Sequence, residues 1–66
     1  MQPHEQRVLD EKAELDARLE RLRTFMASHV FKSLDNLQRD LMSRQASYMA
    51  AYSPTLAERI ATFVKD

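Results

Sequence analysis

The chain has 66 residues, with ten basic and ten acidic side chains, no cysteine and no glycine. That length allows one domain with a small core. The lack of glycine argues against phosphate-cradling loops, dinucleotide fingerprints and tight β-hairpins, and so against a nucleotide-binding enzyme or an all-β fold. Charge is balanced along the chain, with six residues of each sign in the first 32 and four of each afterwards. Neither half is a basic arm or an acidic tail, which weighs against a nucleic-acid binder and against a DNA mimic. The absence of cysteine fits a reducing cytoplasm. No apolar run approaches a membrane span and no signal-peptide pattern opens the chain, so the expected location is cytoplasmic.

Met1 to Pro3 read as a frayed lead-in. A helix is expected over about residues 4–28, with Glu5 in the first turn, where the helix dipole favours a negative charge. Val8, Leu15, Leu19, Leu22 and Met26 fall on the a and d positions of about three heptads, a narrow stripe that seats against another helix. Glu14 and Arg18 form the clear i,i+4 charge pair. Lys12 takes an a position. It either snorkels from a partly exposed seam or selects register and partner. Rim charges favour an antiparallel self-pair, with Glu11 beside Arg18, over a parallel one.

The break falls at Ser28-His29-Val30-Phe31-Lys32. Ser33 is the expected cap of the next helix, with Asp35 favourable in its first turn and Phe31 as an apolar plug. The second helix is predicted over about residues 33–64, with Leu34, Leu37, Leu41, Tyr48 and Tyr52 on one stripe and Met42 and Met49 beside it. Ser53-Pro54 resembles a helix start, but no loop-forming residues surround it. A bend at 53–54 is therefore expected rather than a break, and Leu56, Ile60, Phe63 and Val64 continue an apolar face beyond it. The fold class is all-α: a single domain over residues 1–66, built as an antiparallel helical hairpin with its second helix kinked near Pro54. Its small core predicts assembly into a helical-bundle oligomer, a homodimer or larger, through Val8, Leu15, Leu19, Leu22, Leu41 and Ile60.

No catalytic set is legible. His4-Glu5 begins like a zinc-protease HExxH, but Val8 stands where the second histidine belongs, and the other histidine, His29, lies in the break. Paired carboxylates such as Glu11 and Glu14 sit among basic neighbours, as on a solvated face. The expectation is a non-enzymatic binding protein with no metal and no cofactor.

The segments HEQRVLDEKAELDARLERLRTF, F-x-x-L, Q-x-x-L-M-x-x-Q-x-x-x-M-x-x-Y-S and L-x-x-R-I-x-x-F together resemble a family of small helical accessory proteins of tailed phages and prophages, the lambda-like early-region reading frames. The resemblance runs from His4 to Phe63. Pro54 departs from its pattern, where a helix-compatible residue is expected, and this puts a straight second helix in doubt. The resemblance implies a phage protein in the bacterial cytoplasm and no catalytic residues. It also implies binding to, and modulation of, a host protein.

Two other functions stay open. One is a nucleic-acid-binding regulator using Arg18, Arg21, Arg39 and Arg44. The other is a sponge for a small anionic signalling nucleotide, held between subunits by arginines and Tyr48 or Tyr52. The surfaces left for a partner are the polar side of the first helix, with His4, Arg7, Glu11 and Glu14, and the region of Tyr52, Ser53 and Arg59.

Overall fold

The computed structural model describes residues 2–63. The expected contribution of Val64 to the apolar face lies outside them. Three helices follow in order: α1 over Pro3–Met26, α2 over His29–Ser33 and α3 over Asn36–Ala61. There is no strand among the described residues. The first helix starts at Pro3 rather than near His4, because proline has its φ preset for a helix and no N–H to leave unsatisfied in the first turn. The Gln2 backbone N–H donates to the Glu5 carboxylate at 2.8 Å, which fixes the entry.

The break predicted for residues 28–32 is filled by the single-turn helix α2. Ser28 is the reason. Its hydroxyl donates to the Phe25 carbonyl at 2.6 Å, closing α1, and accepts from the Phe31 N–H at 3.4 Å, opening α2. Ser33 is not the cap of the long helix. Its hydroxyl bonds back to the Val30 carbonyl at 2.7 Å, and Asp35 caps α3 instead by accepting from the Gln38 N–H at 2.8 Å. An aspartate at a cap adds charge–dipole attraction to the hydrogen bond, so it outcompetes a serine two residues earlier.

α1 and α3 lie antiparallel. Early residues of α1 meet late residues of the chain: His4 stands edge-on to Phe63 with ring centroids 6.2 Å apart, and Glu11 is bonded to Tyr52. A second edge-to-face pair, Phe25 with Phe31 at 6.3 Å, closes the loop end, where Phe31 was expected to plug the junction. The result is a rod of 52 × 14 × 14 Å.

The α1 seam follows the predicted heptads. Val8 and Leu19 are buried, and Lys12, Leu15, Leu22 and Met26 are half-buried between and beyond them. Lys12 reaches out of the seam to Asp16 at 2.7 Å, as a snorkelling lysine does. The predicted Glu14–Arg18 pair is not formed among the described residues. The two ion pairs found there are Lys12–Asp16 and Asp40–Arg44.

On α3 the packed side differs from the predicted stripe. Met42, Ala46, Met49, Ala50, Ser53, Leu56 and Ile60 are buried or half-buried, and Leu56 is wholly enclosed. Leu37, Leu41, Tyr48 and Tyr52 are exposed, Tyr48 at 69% and Leu37 at 61%. α3 therefore carries two apolar faces. The hairpin uses the one holding Ala46, Ala50 and Ser53, because small side chains let the backbones approach while the methionines fill the remaining gaps. Helix α3 continues without interruption through Pro54.

Candidate functional site

The side chains that bridge the two long helices form one polar cluster on an edge of the rod. Asp16 of α1 is its centre. One carboxylate oxygen accepts from the Lys12 ammonium at 2.7 Å, and the other accepts from the Ser53 hydroxyl at 2.5 Å. Beside it the Tyr52 hydroxyl donates to the Glu11 carboxylate. Residues 12 and 16 are one helical turn apart on α1, so lysine and aspartate meet without strain. Ser53 reaches Asp16 because position 53 lies on the hairpin side of α3, and Tyr52, one residue earlier, projects along its rim.

Electrostatics follow from these bonds. The hydrogen bond from Lys12, reinforced by the one from Ser53, holds the Asp16 carboxyl below its ordinary value of 3.8. Its contribution to stability is present above that value and is lost as pH falls through the lowered one. The Tyr52 phenol is pushed above its ordinary value of 10.0, first by its hydrogen bond to Glu11 and next by partial burial, while the charge of Arg59 pulls the other way. The fold thus disfavours tyrosinate. The associated stability is complete below pH 10 and is lost as pH rises through the raised value. Ultraviolet titration of a Tyr48→Phe variant, which leaves Tyr52 as the single tyrosine, is expected to show tyrosinate forming late. Adding Glu11→Gln should bring the transition back toward the ordinary range. An unchanged titration would mean that the Glu11 bond is absent in solution.

The predicted partner residues divide into three groups. Glu11, Tyr52 and Ser53 converge at this cluster, and Arg59 is near enough for its charge to act on Tyr52. His4 stands at the open end against Phe63. Arg7 and Glu14 are exposed on α1. Asp16 was missed by sequence reasoning, although its place four residues after a lysine on the seam was the available signal.

Of the residues predicted to join copies, Val8 and Leu19 are already covered within one copy. Leu15, Leu22 and Ile60 are half-buried and Leu41 is exposed. Among the arginines, Arg44 projects from the exposed apolar face of α3 and is held by Asp40 at 2.7 Å. Arg39 is half-buried near the start of α3 and bonds Asn36. Its Nε is shielded from solvent without a hydrogen-bond partner among the described residues.

No helix among the described residues is long and apolar enough to cross a membrane. Comparison with curated proteins and with solved structures finds no match. The model of one family, Sequestin, matches residues 2–62, which takes in all three helices and the polar cluster between them. The chain belongs to the Sequestin family.

Proposed function

We propose that this protein acts by sequestration, holding a small anionic signalling nucleotide between copies of itself and turning nothing over. The observation that carries the reading is the exposed end of α3, where Tyr52 stands near enough to Arg59 to feel its charge, on a chain whose family name denotes sequestering. Aromatic rings stack on bases, and guanidinium forks match phosphate oxygens.

Magnitude decides where such a ligand sits. Withdrawing a signal at micromolar concentration takes about −8 kcal/mol of binding free energy. Isolated contacts on an open surface contribute about 0.2–1 kcal/mol each. Tight small-molecule sites instead enclose most of the ligand in a concave pocket. A rod 14 Å across offers little depth, and no pocket is found among its described residues. A second copy supplies the other wall.

The resemblance to phage accessory proteins supplies the setting: a phage-encoded protein in the bacterial cytoplasm that removes a host signal by mass action. Exposed Arg7 and Glu14 on α1 favour a second reading, in which the captured molecule is a host protein gripped along that helix.

The test starts from protein purified from bacterial cells, denatured to free whatever it holds. Release of a nucleotide in near-equal amount to protein is expected. Calorimetry with a panel of cyclic dinucleotides and nucleoside diphosphates should then find a binder. Arg59→Gln should weaken it by roughly tenfold or more, the size of a lost charge-assisted hydrogen bond. A preparation free of nucleotide that retains one host protein would shift the function to the second reading. Salt-sensitive retention of DNA would overturn both.

A further inference from the structure

The four large apolar side chains exposed on α3 have a symmetry of their own. Leu37, Leu41, Tyr48 and Tyr52 are separated by four, seven and four residues, an order that reads the same in both directions about a point between Arg44 and Gln45. At about 100° per residue they lie within an arc of roughly 60°, well away from the hairpin side that carries Ala46 and Ser53.

We infer that this face is a self-interface: two copies pair α3 against α3, antiparallel, with a two-fold axis passing between Arg44 and Gln45. In that register Leu37 of one copy is level with Tyr52 of its partner, and Leu41 is level with Tyr48. All four exposed groups meet the partner at once, as an isologous contact requires. Tyr48 lies inside the seam, and the nucleotide proposed above would sit at its two ends, beside Tyr52 and Arg59. Each leucine faces a tyrosine ring, so large and small alternate across the seam. The two hairpins together make a four-helix bundle.

Three further observations point to a second copy as the occupant. One hairpin exposes 5133 Å², whereas a compact chain of 7.7 kDa exposes roughly 4,300 Å². The excess, about 800 Å², is what one partner gives up in an interface of ordinary size. The charges also fit. The two Arg44 side chains flank the axis, each neutralised by the Asp40 of its own helix at 2.7 Å. The two Asp40 carboxylates lie about 13.5 Å apart along the helices, whereas a parallel pair sets Asp40 against Asp40. Finally, Val8, Leu19 and Leu56 are the only buried large apolar residues among those described, too few to hold a hairpin comfortably alone.

The inference needs no ligand and is tested without one. The chain has no cysteine, so single-cysteine variants crosslink without background. Leu37→Cys mixed with Tyr52→Cys is expected to form a heterodimer under mild oxidation, and Gln45→Cys to form a homodimer. Neither Leu37→Cys nor Tyr52→Cys should crosslink with itself, because like positions lie about 22 Å apart along the helices at 1.5 Å per residue, far beyond disulfide reach. Self-crosslinking of Leu37→Cys would show a parallel pair and overturn the register. Sedimentation of the unaltered protein gives the second measurement. A helical species of 7.7 kDa at micromolar concentration would overturn the dimer itself. The double variant Leu41→Asp, Tyr48→Asp should keep its helical signal at high concentration while dimerising roughly a hundredfold more weakly, as expected for uncompensated charge in a seam. Unchanged association would also overturn the proposal.

Discussion

Leu56→Ala is expected to remove most of the stability of this protein. Leu56 is the one side chain among the described residues with no exposed surface. Truncating a buried leucine to alanine costs about 2–5 kcal/mol, since the lost transfer free energy is compounded by the cavity left behind. A 66-residue chain has a total of only about 3–10 kcal/mol to lose. Urea titration followed by helical circular dichroism should therefore show a midpoint shifted far down, with a large unfolded fraction before denaturant is added. Leu19→Asp should go further. Leu19 is buried at the middle of the α1 seam, and a carboxylate there is left without a partner at a cost of several kcal/mol. No cooperative transition is expected for it. A native-like midpoint for either variant would show that the seam between α1 and α3 is not what holds the chain together.

Much of this architecture was legible because heptad spacing reports the inward side of a helix directly. Val8, Leu15, Leu19, Leu22 and Met26 are all buried or half-buried along α1, and the antiparallel hairpin follows from a short link between two long helical patterns. The second helix was harder for a physical reason. α3 carries two apolar faces, and the sequence does not rank them. Leucines and tyrosines look more core-like than Ala46, Ala50 and Ser53, yet small residues admit the closer helix approach and so take the hairpin side. Caps misled in a similar way. Ser28, Ser33 and Asp35 are all competent caps, and the choice between them depended on whether one turn of helix fits between residues 28 and 34. The polar cluster was half visible. Glu11, Tyr52 and Ser53 were named on separate helices. Their convergence depends on the stagger of α1 against α3, which no local pattern encodes.

Pro54→Ala is expected to stabilise the fold. Pro54 lies in the interior of α3, where its missing N–H leaves the Ala50 carbonyl without its helical partner and its ring crowds that turn. Proline in a helix interior is disfavoured by about 3 kcal/mol. Part of that is offset because proline also restricts the unfolded chain, worth about 0.4–1 kcal/mol. A net gain of about 2–2.6 kcal/mol should raise the melting temperature by roughly 8–20 °C for a domain of this size. A melting temperature that falls instead would show that the hairpin needs the backbone shape proline imposes, including the bend expected at residues 53–54. The position gives the experiment a second use. Pro54 directly follows Tyr52 and Ser53, whose hydroxyls bond Glu11 and Asp16 across the helices. A costly residue beside a polar cluster fits the pattern of stability given up for function. If the cluster belongs to the proposed sequestering site, Pro54→Ala should melt higher and yet bind the proposed nucleotide more weakly. A variant that melts higher and binds as before would confine the role of Pro54 to the helix.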